Sequence, residues 1–150
     1  MDVLDNIIDH LSASSLYTWN TCPRQYYYRY IRGLKEPPKG VMILGGASHV
    51  GNEVNYRQKM QTREDLPVSQ VQEVVADAFH KKVQEAKDYS DGVKWENADP
   101  GAVLDQSVDC AGVHVMDIAP LVQPVSVEEK VEYQVNDELK LVGFIDVIDD

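Results

Sequence analysis

Leu141-Val142-Gly143-Phe144-Ile145-Asp146-Val147-Ile148-Asp149-Asp150 alternates as a strand does and carries a Gly-x-x-Asp. The stretch before it has the same period. Val125, Val127, Val131, Tyr133 and Val135 follow Pro124 at every second position or nearly so, and Asn136-Asp137-Glu138 reads as a turn. Leu139, Leu141, Gly143, Ile145 and Val147 then form the return strand. Residues 125–149 are therefore expected to be a β-hairpin. A lone hairpin is marginal in water and wants a further strand or a helical cover. A strand of this quality at the end of the chain predicts a sheet that continues beyond Asp150 or is completed by a second chain.

Upstream, residues 1–120 read as helical. Val3, Leu4, Ile7, Ile8 and Leu11 lie at helical spacing. Ser12 or Ser14 suits the N-cap of a short helix bearing Leu16 and Trp19, with Trp19 expected in the core. Pro23 fits the first turn of the next helix, where its missing N–H costs nothing, and Gly33 fits its C-cap. A helix is expected to open near Gly46 and to carry His49, Glu53, Tyr56 and Met60 until Pro67 breaks it. Val71, Val74, Val75, Ala78, Phe79 and Val83 form one face of another. Asp99-Pro100 reads as an N-cap followed by proline, opening a last helix that runs to Pro120.

The bulk numbers narrow the function classes. At 150 residues the chain is the size of one domain, and its apolar (43%) and charged (26%) contents are those of an ordinary globular protein. No apolar run approaches a membrane span, and the acidic start, Met1-Asp2-Val3-Leu4-Asp5, does not resemble an export signal. Two cysteines, Cys22 and Cys110, fit neither a disulfide framework nor a four-ligand zinc site, so a reducing, cytoplasmic setting is expected. A net charge of −11 argues against generic nucleic-acid binding, but the charge is uneven. Residues 24–63 hold eight basic side chains against two acidic, whereas residues 64–150 hold six against twenty. Local basic clusters decide where a phosphate backbone docks.

Gly45-Gly46-Ala47-Ser48-His49 places a histidine on a Gly-rich helix start, and Asp146 lies on the late strand. The two make a plausible pair of metal ligands, since hard divalent cations favour carboxylate oxygen and an imidazole can complete a Mn²⁺-tolerant site. His10, His80 and His114 have no partners at ligand spacing and read as structural or surface residues. Arg24, Arg29 and Arg32 alternate with Tyr26, Tyr27, Tyr28 and Tyr30. Such a run either holds phosphates and stacks on bases or packs its tyrosines inward with the arginines in water.

Three segments together resemble one family. Leu11-Ser12-Ala13-Ser14-Ser15-Leu16, Trp19, Cys22-Pro23-Arg24-Gln25-Tyr26 and Tyr30-Ile31-Arg32-Gly33-Leu34 look like the opening of RecB-type and Cas4-type nucleases of the PD-(D/E)xK superfamily. Gly45 through His49 is similar to their Gly-x-x-x-His helix, and Glu129 through Val147 resembles the hairpin bearing their first catalytic aspartate. The resemblance implies an α+β, restriction-endonuclease-like core with a large helical N-terminal portion, here truncated after the first hairpin. It implies a metal-dependent DNA nuclease, in all expectation an exonuclease, using Mg²⁺ or Mn²⁺. His49 and Asp146 match its first two ligand positions. The family's (D/E)-x-K strand and Gln-x-x-x-Tyr helix are not found. Glu128-Glu129-Lys130 does spell an acid-x-Lys, so Glu128 and Lys130 are further catalytic candidates, although family members commonly carry a structural glutamate there. Some members hold an iron–sulfur cluster. Only Cys22 matches a cluster ligand, and four thiolates are needed, so no cluster is expected. The other reading is a non-catalytic protein on a half-nuclease fold that grips DNA or a partner.

Overall fold

The computed structural model describes residues 10–89 and 91–150. The first nine residues, including most of the amphipathic stretch expected over residues 1–11, lie outside the described residues. The chain divides into two compact units. One comprises residues up to Lys35 with Glu129–Ile145, and the other comprises Glu36–Glu128 with Asp146–Asp150.

In the first unit, strand β1 (His10–Ser12) leads directly into α1 (Ala13–Thr21). Of the two serines expected to suit the N-cap, Ser12 and Ser14, it is Ser12 that caps α1. Its hydroxyl accepts from the Ser15 N–H at 3.2 Å while the Ser15 hydroxyl accepts from the Ser12 N–H at 2.9 Å, a reciprocal capping box. Helix α2 (Pro23–Tyr26) begins at proline, with the Cys22 thiol accepting from the Gln25 N–H at 3.4 Å, and continues as a π-helical turn over Tyr27–Ile31. Gly33 adopts the left-handed conformation (φ 65°) that ends the run.

Strands β2 (Pro124–Gln134) and β3 (Lys140–Asp149) are the expected hairpin. The Val135 N–H donates to the Leu139 carbonyl at its turn, and the Asp150 N–H donates to the Gln123 carbonyl at its open end. The sheet order is β1-β3-β2, with β1 parallel to β3 and Leu11 opposite Leu141. So the third strand a hairpin wants comes from His10–Ser12, within a region whose spacing reads as helical. Trp19 is half exposed rather than core, its ring edge-on to buried Tyr26.

The second unit is built on α3 (Gly40–Thr62), α4 (Val68–Glu85) and α5 (Pro100–Val113). Asp99 caps α5 by accepting from the Ala102 N–H at 2.8 Å, and a π-helical turn (His114–Ile118) and a 3₁₀ turn (Ala119–Leu121) extend it. Helix α3 opens at Gly40, a turn and a half before the expected start, because Gly40 has outside partners. Its N–H donates to the Lys94 carbonyl, and a Cβ on it would lie 2.9 Å from the Trp95 ring. The helix ends at Thr62, five residues before Pro67, and Arg63 turns left-handed (φ 61°).

Ile43 and Ala47 of α3 pack on Val71, Val75, Ala78 and Phe79 of α4 and on Val103 and Ala111 of α5. The closest approach is at Gly51, where a Cβ would meet Val75 Cγ2 at 2.4 Å. In the last turn of α3, buried Lys59 donates to Asp65 Oδ2 (2.8 Å) and to the Ala119 carbonyl (2.6 Å). Fully buried Asn55 donates to Asp65 Oδ1 and accepts from the Leu66 N–H. These bonds satisfy the buried polar groups of the α3–α4 connection, as burial requires. The α+β class expected from the sequence is the class observed. Among the described residues no helix is long and apolar enough to cross a membrane.

Candidate metal centre

Helix α3 and the open end of the hairpin build the site, and one tyrosine fixes their spacing. Tyr56 lies seven residues, almost two turns, after His49 on α3, so both side chains leave the same face. The Tyr56 ring is buried with Ala119 and Val127, and Val122 and Val147 pack against that cluster. Val127 immediately precedes Glu128, and Val147 immediately follows Asp146. Packing of Tyr56 on these two valines therefore delivers the neighbouring carboxylates to His49.

Backbone conformation completes the delivery. Strict strand alternation would turn Val127 and Glu128 to opposite faces. Glu128 instead has φ 55°, a left-handed residue within β2 that breaks the pleat. Val127 can thus be buried against Tyr56 while Glu128, one residue on, reaches the same helix.

His49 Nε2 lies 3.2 Å from Glu128 Oε1 and 3.2 Å from Asp146 Oδ1. One ligand atom from each of the three side chains falls within 4.8 Å of the others, the one such group of three among the described residues. The side chain of Asp146 is 73% exposed and that of Glu128 21%, so the centre opens to solvent on the aspartate side.

This arrangement suits a divalent cation on three grounds. Glu128 Oε1 is buried and makes no well-aligned hydrogen bond, its close polar neighbour being His49 Nε2 at 3.2 Å, so it keeps acceptor capacity that an ion could use. One imidazole faces two carboxylates, so even its protonated form leaves negative charge uncompensated. The 3.2 Å spacings also approach the roughly 3 Å between adjacent ligands of a hard cation with bonds of about 2.1 Å.

Behind the centre, the Tyr56 hydroxyl and His114 Nε2 share a 2.9 Å hydrogen bond. Burial lowers the His114 pKa below its ordinary value, partly opposed by the negative charge of Asp65. Burial likewise raises that of Tyr56, with Asp65 and Asp149 adding to the effect. Both groups are thereby held neutral, which suits a bond inside the packing. His114, read from the sequence as a structural or surface residue, makes this contact, and its partner was not legible from spacing.

The remaining candidates lie in the first unit. Lys130 is exposed and its ammonium pairs with Glu132, which also faces Lys140 at 3.5 Å. Tyr26 is buried, edge-on to Trp19 (5.3 Å) and tilted against Tyr30 (4.9 Å), so its ring is used within the unit. Arg24 lies over the ring of exposed Tyr28 at 5.8 Å, and Arg29 over that of Tyr30 at 5.7 Å. Arg24, Arg29 and Arg32 are all exposed. Tyr26 packs inward, while Tyr28 and the three arginines face water.

Residues 10–150 match the family model of the PD-(D/E)XK nuclease superfamily. The chain belongs to that superfamily. No match was found among curated proteins or among solved structures. The α+β architecture, with its helices and small mixed sheet, is consistent with the restriction-endonuclease-like fold. PD-(D/E)XK nucleases generally use divalent metals, and His49, Glu128 and Asp146 form a possible metal-binding group in this one.

Proposed function

We propose that this PD-(D/E)XK nuclease is a metal-dependent deoxyribonuclease of RecB/Cas4 type, an exonuclease acting in a cytoplasmic setting. The observation that carries the reading is the convergence of His49, Glu128 and Asp146 on one point within a chain of a nuclease superfamily. These three residues hold Mg²⁺ or Mn²⁺. When bound, such a cation supplies positive charge against the phosphate to be cleaved. His49, anchored through α3, sets the position of the ion, and Glu128 supplies the most enclosed carboxylate. Asp146, the most exposed, lies where a nucleic-acid strand would enter.

Arg24, Arg29 and Arg32 make the phosphate contacts, and the exposed ring of Tyr28 under Arg24 is a stacking surface for a base. Tyr30 supports Arg29 in the same way. Lys130, two residues beyond Glu128, is the lysine of the acid-x-Lys triplet. Strand β2 is an edge strand, which is where a strand from a second chain would add.

The test is cleavage of end-labelled linear DNA, single- and double-stranded, and of circular DNA, with Mn²⁺ or Mg²⁺. Controls are EDTA and His49→Ala. Cutting of linear but not circular DNA that needs the metal and His49 is the expected result. Cutting retained by His49→Ala would overturn the assignment of the centre. Metal and DNA binding without any cutting would favour the non-catalytic reading.

A further inference from the structure

We infer that Lys82, on α4, is the charge partner of a phosphate held at the His49–Glu128–Asp146 centre. This rests on the metal-centre reading above and adds to it a residue from a different element. The observation is at Gly46, one turn before His49 on α3. A Cβ at that position would lie 2.9 Å from Lys82 Cε and 3.0 Å from Lys82 Nζ. The slot left by the glycine is thus filled by the ammonium end of the lysine as well as its stem. Adjacent Gly45 has nothing within 4 Å of such a Cβ, so of these two glycines Gly46 is the one closely approached.

Residues three apart on a helix have Cβ atoms about 5–6 Å apart, which brings Lys82 Nζ within roughly 9 Å of the His49 Cβ. Lys82 is half-buried, and among the described residues it has neither an ion pair nor a side-chain hydrogen bond. An ammonium that no protein group occupies is free to pair with an anionic group brought by a ligand. Lys82 also sits in the last turn of α4, where any cation is favoured. That placement does not require a glycine on the neighbouring helix. A phosphate bridging the metal centre and an ammonium supplied from α4 accounts for both the slot and the unpaired charge.

Two affinities separate this role from a structural one. Mn²⁺ binding to the full chain is measured first by the loss of free-ion EPR signal. Binding of a fluorescein-labelled single-stranded oligonucleotide is then followed by anisotropy in Ca²⁺. Removing an ammonium near a cation site favours the cation, so Lys82→Gln should tighten Mn²⁺ binding about two- to fivefold at low salt. The same change should weaken oligonucleotide binding about three- to tenfold. Lys82→Arg should restore oligonucleotide binding in part. Gly46→Ala, which displaces the lysine without removing its charge, should weaken oligonucleotide binding too. A purely structural lysine would move both affinities in one direction or neither, and either pattern overturns the proposal. If the wild-type chain binds Mn²⁺ no better than His49→Ala does, the metal-centre reading fails and the proposal with it.

Discussion

Replacing Gly51 by alanine should destabilise the protein, although alanine is the better helix former, and the same replacement at Gly45 should do the reverse. Both glycines lie inside α3. A Cβ at position 51 would stand 2.4 Å from Val75 Cγ2 and 3.4 Å from Val71 Cγ1, where carbon atoms prefer roughly 3.5–4 Å. Val71 and Val75 are fully buried. Valine in a helix also has one strongly preferred rotamer, so neither side chain can swing aside cheaply. Relief must come from separating α3 and α4 by about an ångström, at the upper end of the ~1–3 kcal/mol typical of overpacking. The helix-propensity gain of about 1 kcal/mol offsets part of this, leaving a net loss of roughly 2 kcal/mol. For a chain of this length that lowers Tm by about 4–8 °C. Gly45→Ala, with open space around it, should instead gain about 1 kcal/mol. Urea and thermal denaturation of both variants, with Val75→Ala and the Gly51→Ala/Val75→Ala double variant, complete the test. The double variant should be more stable than the sum of the singles predicts, by at least ~1 kcal/mol, because the new methyl occupies the space vacated. Gly51→Ala as stable as wild type, or strict additivity in the cycle, would refute the close-packing argument.

Three further outcomes follow from the same geometry. Lys59→Met leaves Asp65 without its ammonium partner and should cost about 3 kcal/mol by urea denaturation, while Lys59→Met/Asp65→Asn should recover part of the loss. Because burial lowers the His114 pKa, the unfolded chain takes up that proton first as pH falls. The contribution is fully present above the ordinary value of 6.5 and is lost as pH falls through the folded value, so His114→Gln should show a shallower fall in Tm below pH 6.5. Saturating Mn²⁺, at about 100 times its Kd, should stabilise the fold by about 2.7 kcal/mol, a rise of roughly 5–11 °C read by differential scanning fluorimetry. That rise should vanish in His49→Ala and shrink in Glu128→Gln.

What was legible in the sequence was what local chemistry controls. Ser12, Asp99-Pro100 and Gly33 end or begin helices through their own side-chain oxygen, ring or φ, and each does so in the structure. The hairpin was legible because its period is two for most of its length. The strand His10–Ser12 was not, since three residues carry no period and its parallel pairing with Lys140–Val142 closes a loop of some 130 residues. Tyr26 and Trp19 show the same limit: which aromatic is buried depends on the neighbour each meets, and it is Tyr26 that lies beneath both Trp19 and Tyr30.

The centre divides along the same line. Gly-x-x-x-His and Gly-x-x-Asp were visible as motifs, but the position of Glu128 depends on one dihedral angle. With φ near −120° at residue 128, Val127 and Glu128 would face opposite sides of β2, and burying the valine on Tyr56 would aim the glutamate away from α3. The observed φ of 55° removes that conflict. A glutamate has no side-chain means of stabilising this conformation, which costs about 1 kcal/mol or more relative to the extended region. Burial of Val127 within the Tyr56 cluster is available to offset that cost. Replacing Glu128 by glycine would relieve the strain and remove the carboxylate, so stability should hold or rise while Mn²⁺ affinity falls. A residue strained in the fold, with a buried oxygen that makes no well-aligned hydrogen bond, is better explained by what it is aimed at than by what it stabilises.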